Sequence, residues 1–471
     1  METYSCGKQK NPMIILSIPF LDEKFVEKQF EKFRNQFDLI EFRLDFNENY
    51  KSFPVDLINP KTIITIKNYA LRIEFEKKID FLAELTKKFG CLVDLEIEKI
   101  DFSNPINLFV EIPGENLILS FHDFSLKTDF NKIENIVAKS NLIPSKFLKI
   151  AVNISIYSDL LEISRIIKKS EKPVIFAGMG KLGKISRILY NHLNAEATFV
   201  GLENHKTAAA QLTVAETERY NLKFIDKNTK IGGIVGGEQI EKSLGLKFYN
   251  EYFRKNNLNA VYIPFIVNKL EDFLNWVRNS KLDFFGFSVT MPHKKEIGKY
   301  FSQKQNNSPV NLYIPSANEF FNTDFIAFQK AIRFLKIKTS DKILIFGNGA
   351  TAETALNALA DFSSVFLSSE NKERGKFLSQ KYGRKFIPKD DLSVLTFDLT
   401  INCTPLGMNG EDFLKYTNLK FPAKIIDLPY GNEKTPLIRK CEEKKILFAD
   451  GKMFWKWQAE IQLQKFVANI K

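Results

Sequence analysis

The chain is poor in cysteine, with four among 471 residues, and their spacing fits neither a metal site nor a compact disulfide framework. These are Cys6, Cys91, Cys403 and Cys441. Their scarcity favours a reducing compartment, and we expect a cytoplasmic protein without a bound metal. The chain also lacks a continuous apolar run long enough to cross a membrane, and it begins without a basic region followed by an apolar stretch. Both absences argue against a membrane protein.

Positive charge is in excess, at +12, but no segment concentrates it. The lysines are spread along the chain rather than clustered with aromatic residues, which argues against a nucleic-acid partner. A solvated surface is the simplest interpretation, and an anionic small-molecule substrate, drawn in by a positive field, is the sharper alternative. Hydrophobic residues make up 44% of the chain, which therefore can bury a large core. Its length predicts roughly three domains.

Short apolar runs alternate with amphipathic stretches from residue 12 to about residue 200. Eight runs are predicted strands, at Met13–Ile18, Leu39–Leu44, Ile63–Lys67, Cys91–Ile97, Leu117–Phe121, Phe147–Val152, Val174–Ala177 and Thr198–Gly201. Helical periodicity lies between several of them, at Glu23–Phe33, Lys77–Phe89, Asn131–Ala138, Asp159–Lys168 and Ile185–His192. This alternation predicts a closed parallel (β/α)8 barrel, with a doubly wound open sheet as the alternative. The barrel is favoured because candidate reactive residues fall near the C-terminal ends of the strands.

A glycine-rich break at residues 231–237 ends this region, and we place a domain boundary near residue 228. Beyond it, strands at Ala260–Phe265 and Phe284–Thr290 lie around a helix near Leu270–Arg278. The turn Phe346-Gly347-Asn348-Gly349-Ala350 follows a strand and precedes a helix, which is the context of a dinucleotide-binding turn. We therefore predict a barrel at 10–226, a substrate-binding α/β domain at 230–328 completed by helices at about 450–471, and a Rossmann domain at 329–449.

Two lysines stand in contrasting settings. Lys149 lies in an apolar strand, where burial disfavours the ammonium and leaves an amine able to form a Schiff base with a ketone. Lys294 follows a strand and Pro292, so it lies on a loop where it can donate a proton. Two lysine roles in separate stretches predict two active sites.

Charged side chains mark the predicted barrel strands. Glu41-Phe42-Arg43-Leu44-Asp45 places three of them on one face, for which a structural ion-pair ladder is the alternative. Together with Val93-Asp94-Leu95-Glu96, Ser120-Phe121-His122-Asp123-Phe124, Lys149 and the stretch 179–187, this segment resembles the type I 3-dehydroquinate dehydratases over nearly all of residues 10 to 215. The resemblance implies that Lys149 forms a Schiff base with the substrate and that His122 is the general acid and base. It implies substrate-binding roles for Glu41, Arg43, Lys67, Arg187, Thr207 and Gln211.

A second set of motifs follows in order along the rest of the chain. They are Gly286-Phe287-Ser288-Val289-Thr290-Met291-Pro292-His293-Lys294, Asn322-Thr323-Asp324, Asn402-Cys403-Thr404-Pro405-Leu406-Gly407-Met408, and Asp450-Gly451 with Gln458. Residues 230 to 471 therefore resemble the shikimate dehydrogenases. The resemblance implies hydride transfer between a nicotinamide and the C3 ketone or alcohol, with Lys294 and Asp324 as the proton-handling pair. It implies substrate-binding roles for Ser243, Thr290, Asn318, Tyr430 and Gln458, and cofactor-binding roles for Gly347, Asn348, Gly349, Ala350, Ser369, Lys372, Arg374, Thr404 and Gly451.

Several positions differ from the patterns of these two families. Lys67 and the following loop Ala70-Leu71-Arg72 stand where the dehydratases have an arginine and Glu-Gly-Gly, and Gly245 replaces the second serine of a Ser-x-Ser pair. Ser369-Glu370-Asn371 stands where NADP-using dehydrogenases have Asn-Arg-Thr. An acidic residue there favours the ribose hydroxyls of NAD, whereas Lys372 and Arg374 could bind the extra phosphate of NADP. Both cofactors therefore stay open.

The two resemblances imply one bifunctional enzyme of the shikimate pathway. Its first site would dehydrate 3-dehydroquinate to 3-dehydroshikimate, and its second would reduce that product to shikimate. Two alternatives follow from the altered positions. One is a quinate/shikimate dehydrogenase with a weakened dehydratase half, and the other is a non-catalytic sensor of quinate or shikimate that regulates a partner. The sequence predicts no oligomeric state.

Overall fold

The computed structural model describes residues 13–68, 70–100, 111–300, 309–431 and 433–471. Two compact units divide the chain: the first comprises residues up to 233 together with 238–284, and the second comprises 234–237 together with 285–471. No helix in the described ranges is long and apolar enough to cross a membrane. A cytoplasmic location stays a prediction.

The first unit contains a closed parallel barrel, as predicted. Its strands are β1 (Met13–Pro19), β2 (Leu39–Arg43), β3 (Thr62–Thr65), β4 (Leu92–Glu96), β5 (Leu117–Asp123), β6 (Phe147–Val152), β7 (Val174–Phe176) and β8 (Ala197–Gly201). Each strand pairs with the next one along the chain, and β8 pairs back with β1 to close the ring. The open-sheet alternative is therefore wrong for this half. A short strand that the sequence did not reveal, β9 (Leu212–Thr213), adds to β8.

The helices of the barrel are α1 (Glu23–Phe33), α2 (Phe75–Phe89), α3 (Phe130–Asn141), α4 (Tyr157–Ile167), α5 (Gly183–Ile188) and α6 (Val214–Arg219). The sequence did not predict α6, and the others agree with the predicted periodicity except at Ile185–His192. There the α-helix ends at Ile188, because Leu189 leaves the helical conformation, and a 3-10 turn follows at Tyr190–Leu193.

The barrel interior is layered, which positions the first site. Its lower layer is apolar and includes Ile63, Leu92, Ile118 and Phe147. Side chains two residues further along a strand point the same way, so the next layer up consists of the polar residues Thr65, Asp94, Ser120 and Lys149. An apolar floor therefore lies directly beneath a layer of charged and hydroxyl groups.

Residues 238–284 belong to the same compact unit as the barrel. They form α7 (Leu244–Lys255), β11 (Ala260–Ile266) and α8 (Leu270–Asn279), with β10 (Lys230–Gly236) before them. Asp272 accepts the backbone N–H groups of Tyr157 and Ser158 at 2.6 and 3.1 Å, and thus caps the N-terminus of α4. The Tyr157 ring packs on Trp276 at 5.4 Å between centroids. These contacts fasten the segment to the barrel, and the predicted domain limits stay predictions.

A five-stranded sheet has the order β11-β10-β12-β13-β14, where β12 is Phe284–Val289, β13 is Leu312–Ile314 and β14 is Glu319–Phe321. The pairings of β12 with β13 and of β13 with β14 are antiparallel. Helix α9 (Thr323–Phe334) follows β14. Because Asp324 lies in the first turn of this helix, the β14 to α9 junction fixes its carboxylate.

The rest of the second unit is a doubly wound fold. Six parallel strands have the order β17-β16-β15-β18-β19-β20, comprising β15 (Ile343–Phe346), β16 (Val365–Ser368), β17 (Lys385–Phe386), β18 (Leu399–Asn402), β19 (Lys424–Asp427) and β20 (Leu447–Asp450). The helices are α10 (Ala350–Ala358), α11 (Lys372–Lys381), α12 (Phe413–Thr417), α13 (Pro436–Glu443) and α14 (Gly451–Ile470). The strand order reverses beside β15, and such a reversal opens a crevice for a nucleotide at the C-terminal strand ends.

Candidate active sites

Lys149 lies inside the barrel between two carboxylates. Its Nζ is 3.2 Å from Glu41 Oε1 on β2 and 3.1 Å from Asp94 Oδ2 on β4, and it lies 4.2 Å from the centre of the Phe199 ring. The expectation that Lys149 has a lowered pKa is wrong. Burial does favour the neutral amine, but the two carboxylates outweigh it and raise the pKa above its ordinary value. Before substrate binds, the Lys149 side chain is therefore an ammonium group that is ion-paired with Glu41 and Asp94.

Asp94 also holds a second buried lysine. Lys67 Nζ donates to Asp94 Oδ1 at 2.5 Å and to Ser120 Oγ at 2.8 Å. Complete burial lowers the pKa of Lys67 to about 8, although Asp94 opposes this shift. Asp94 itself has its pKa held well below the usual range, because Lys67 and Lys149 outweigh the effect of burial. One carboxylate thus bridges two ammonium groups.

A cavity of about 340 Å³ opens above this layer. Seven predicted residues line it: Lys149, His122, Glu41, Arg43, Arg187, Thr207 and Gln211. Lys67 is not part of the described cavity wall, since its ammonium is fully buried against Asp94. A role for Lys67 in touching substrate stays a prediction, whereas its contact with Asp94 is direct.

Hydrogen bonds connect Glu41 to the loop after β8. Glu41 accepts from Ser17 Oγ and, at 2.9 Å, from Thr65 Oγ1. Ser17 Oγ lies 2.7 Å from Thr207 Oγ1, and the Thr207 N–H donates to Gln211 at 3.0 Å. The loop that carries Thr207 is therefore tied to the same carboxylate that holds Lys149.

The two arginines of the cavity are oriented differently. Arg43 donates to both oxygens of Asp45, at 2.9 and 2.7 Å, which fixes its guanidinium plane. Arg187 is buried and donates to the carbonyls of Gly178 and Phe199, each at 3.2 Å. Burial lowers the pKa of Arg187 to about 10, so it is still a cation at neutral pH and suits a substrate carboxylate.

His122 lies at the C-terminal end of β5 and lines the same cavity. Burial, followed by the positive charges of Lys67 and Lys149, holds the pKa of His122 well below 6.5, and Asp94 only partly opposes them. The imidazole is therefore neutral near pH 7. A neutral imidazole can accept a proton, which is what a general base requires.

The second lysine, Lys294, also contacts a carboxylate. Lys294 Nζ donates to Asp324 Oδ2 at 2.5 Å, and both side chains are largely buried. Burial and the negative charge of Asp324 raise the pKa of Tyr430, so this predicted substrate contact is close to the pair. The predicted substrate residue Thr290 directly follows β12. Asn318, another predicted substrate residue, has a left-handed backbone conformation with φ of +52°.

A polar network that the sequence did not reveal supports Asp324. Asn311, just before β13, accepts the Thr323 N–H at 2.7 Å and donates to Gln458 Oε1 at 2.9 Å. Gln462 also donates to Gln458, at 3.3 Å. Gln458 is therefore fixed beside the first turn of α9. Ser243 lies in the first compact unit, where its side chain caps α7 by accepting the Gly245 N–H at 3.2 Å.

The predicted cofactor turn contains two glycines with different surroundings. Gly347 has φ of +133°, and a Cβ there would approach Cys403 within 3.2 Å. Gly349 precedes the first turn of α10, and a Cβ there would meet open space. A phosphate can approach the N-terminus of α10 across this turn. Gly451 is required for another reason, because a Cβ would lie 2.3 Å from the Leu428 carbonyl oxygen.

The predicted nucleotide contacts of this paragraph lie after β15, β16 and β18. Asn348 and Ser369 both donate to the Asn371 carbonyl, at 3.3 and 2.9 Å. Glu370 accepts from Lys389 Nζ at 2.9 Å and from the Tyr416 hydroxyl at 2.7 Å. The remaining predicted residues lie where the sequence placed them: Lys372 and Arg374 in the first turn of α11, Ala350 at the start of α10, and Thr404 just after β18.

The described residues contain no cluster of three or more histidine, cysteine, aspartate or glutamate side chains that could hold a metal.

Comparisons with known proteins match both halves. Residues 14–227 match the model of the type I 3-dehydroquinase family, and residues 235–309 match the shikimate dehydrogenase substrate binding domain. A shikimate dehydrogenase (NADP(+)) of Pyrococcus furiosus is 33% identical over 48% of this chain and 86% of its own length. The chloroplastic bifunctional 3-dehydroquinate dehydratase/shikimate dehydrogenase of Arabidopsis thaliana is 25% identical over 99% of this chain and 84% of its own.

Among solved structures, a chorismate mutase/shikimate 5-dehydrogenase fusion protein from Clostridium acetobutylicum is 26% identical, with a TM-score of 0.45, over 51% of this chain and 91% of its own. The two family matches and the full-length relative agree with the two lysine sites. The chain belongs to the family of bifunctional type I 3-dehydroquinate dehydratase/shikimate dehydrogenases.

Proposed function

We propose that this chain converts 3-dehydroquinate to 3-dehydroshikimate in its barrel and then reduces 3-dehydroshikimate to shikimate in its second half. One observation carries the proposal: the two lysines are ion-paired at separate positions. Lys149, between Glu41 and Asp94, is suited to Schiff-base chemistry, and Lys294, beside Asp324, is suited to proton donation. Intact reactive groups at both positions favour an enzyme over a non-catalytic sensor. The quinate/shikimate dehydrogenase alternative stays a prediction.

In the first reaction, the Lys149 ammonium loses a proton and the amine attacks the substrate ketone. Loss of water gives an iminium ion, which makes the hydrogen on the neighbouring carbon acidic. His122, which is neutral and lines the cavity, removes this proton and returns it to the leaving hydroxyl, which departs as water. Hydrolysis of the iminium then releases the product and restores Lys149. Arg187 suits the substrate carboxylate because its planar fork pairs with two oxygens.

In the second reaction, the hydride for the ketone would come from NADPH held at the turn before α10. Lys294 donates a proton to the oxygen that becomes the new hydroxyl, and Asp324 holds the lysine in place. Gly347 and the N-terminus of α10 would hold the pyrophosphate.

Lys149 is tested by trapping. Borohydride added with 3-dehydroquinate should reduce the iminium and attach the substrate permanently to the protein, as intact-protein mass would show. Lys149→Met should abolish the adduct, because Lys149 is the lysine that lines the cavity. Lys67→Arg is the matched control and should retain the adduct, since Lys67 is fully buried and is not among the residues that line the cavity. An adduct of undiminished yield in Lys149→Met would refute the assignment.

The neutral state of His122 predicts a pH profile. The acid limb that His122 contributes to the dehydratase kcat should lie below pH 6.5, since protonation of His122 removes the base and its pKa is held well below that value. The constant to follow is kcat, because in the saturated complex Lys149 is already part of the iminium and no longer titrates as an ammonium. Lys67→Gln removes one nearby positive charge and should move this acid limb to higher pH. Lys61→Gln, at an exposed lysine just before β3, should leave it in place. An acid limb at the same pH in Lys67→Gln as in the unmodified chain would contradict the electrostatic explanation of the low His122 pKa.

Lys294→Ala should separate the two activities. Loss of a positioned proton donor is expected to lower the dehydrogenase kcat by about 10²- to 10⁴-fold. Dehydration of 3-dehydroquinate should continue at the unmodified rate. Lys299→Ala, at an exposed lysine on the same segment, serves as the control for both assays. A dehydrogenase kcat within twofold of normal in Lys294→Ala would remove this residue from catalysis.

We further propose NADP(H) as the cofactor, which is the cofactor named for the relatives in Pyrococcus furiosus and Clostridium botulinum. Lys389 and Tyr416 bind the Glu370 carboxylate and offset its repulsion of a 2′-phosphate. The ratio of kcat/KM for NADPH to that for NADH should exceed one. Lys389→Met should lower it by about threefold, a modest effect because the pair is solvent-exposed. An unchanged ratio in Lys389→Met, or preference for NADH in the unmodified chain, would contradict this role.

A further inference from the structure

Glu353 is a buried carboxylate in the first turn of the cofactor helix, α10. Its side chain is 2% exposed and is bound by two lysines on opposite sides. Lys295 Nζ lies 2.5 Å from Oε2, while Lys381 Nζ and the Tyr382 hydroxyl donate to Oε1 at 2.6 and 3.1 Å. Neither the sequence motifs nor the proposed reactions assign Glu353 a role.

The Lys295 contact joins the cofactor helix to the catalytic segment. Lys295 directly follows Lys294, so the Glu353 carboxylate restrains the backbone that carries the proton donor. The next residue of the helix makes a second link, because Thr354 Oγ1 accepts from Asn322 Nδ2 at 3.1 Å. Asn322 caps α9 immediately before Thr323 and Asp324.

Two consecutive residues of α10 thus hold the two segments that contribute Lys294 and Asp324. Those side chains meet at 2.5 Å. A small displacement of either segment would lengthen this contact, and a shift of about 1 Å in a catalytic group can cost up to roughly 100-fold in rate. Glu353 is therefore well placed to control the geometry of the pair.

The charges around Glu353 also suit a nucleotide. A carboxylate alone near a helix N-terminus would repel a pyrophosphate, but the two lysines leave a net positive charge beside the turn. Burial by itself would raise the pKa of Glu353, yet Lys295 and Lys381 hold it below its ordinary value. The carboxylate is consequently ionised and keeps both ion pairs at neutral pH.

We propose that Glu353 is a positioning residue which, through Lys295, couples nucleotide binding at α10 to the placement of the Lys294–Asp324 pair. This inference rests on the proposed dehydrogenase function. A pyrophosphate bound at the N-terminus of α10 restrains the turn that carries Glu353, and the Glu353–Lys295 contact transmits this restraint to the catalytic segment, which stays at the distance required for proton transfer.

Lys295 and Lys381 form a matched pair for a test. Each ammonium binds the same carboxylate, and each side chain is 40% exposed, but only the first belongs to the catalytic segment. Lys295→Gln and Lys381→Gln remove equal charge near the nucleotide and should change the KM for NADPH alike. The dehydrogenase kcat should fall about tenfold in Lys295→Gln and stay within about twofold in Lys381→Gln. Lys295→Arg, which keeps the ion pair, should restore kcat to within about threefold of normal.

The thermal unfolding profile and circular-dichroism spectrum of each variant, compared with those of the unmodified chain, report that its second unit is folded, since dehydratase activity reports on the first unit alone. Equal loss of kcat in the two glutamine variants, or no loss in either, would overturn the proposal, because both outcomes mean that Lys295 has no role beyond its charge.

Hydrogen exchange gives a readout that does not depend on turnover. NADPH should protect backbone amides of residues 290–300 in the unmodified chain and in Lys381→Gln, and this protection should be lost in Lys295→Gln. Protection that survives in Lys295→Gln, or is absent from the unmodified chain, would refute the coupling. Failure of the proposed function is distinguishable, since it would appear as absent turnover of 3-dehydroshikimate whatever the exchange pattern.

Discussion

The first site depends on the Asp94 carboxylate, which binds the ammonium groups of Lys67 and Lys149 inside the barrel. With Glu41 included, two carboxylates and two ammonium groups balance one another in one buried layer. Such a group is stable only when complete, because removing one partner of a buried ion pair typically costs about 3–5 kcal/mol. The same charges set the chemistry. They keep Lys149 as a held ammonium, and the positive members help keep His122 neutral.

The two reactive lysines show how one residue type serves different reactions. Lys149 is fixed by contacts from two other strands of a closed barrel, which suits an amine that must meet a ketone in one orientation. Lys294 lies on a segment between elements and is bound by the Asp324 carboxylate. A proton donor can act with fewer direct contacts to its side chain. The segment that carries it must still be restrained relative to the nucleotide-binding fold, and contacts from α10 provide that restraint.

Much of the fold could be predicted from local pattern. The eight barrel strands are short apolar runs in a regular alternation with helices, and the turn at Gly347 and Gly349 lies between a strand and a helix. What local pattern could not supply are contacts between distant residues. The pKa of Lys149 was predicted in the wrong direction because its partners, Glu41 and Asp94, lie 108 and 55 residues away. Asp94 was visible as a charge in an apolar strand, and inward-facing alternation with Lys149 could have identified it. Asn311 carries no motif and gave no such signal.

The most direct test follows 3-dehydroquinate with the purified chain and NADPH, measuring both products over time. We expect 3-dehydroshikimate to appear first and shikimate to follow, with one NADPH consumed for each shikimate formed. Formation of neither product at any NADPH concentration would contradict the assignment of both sites.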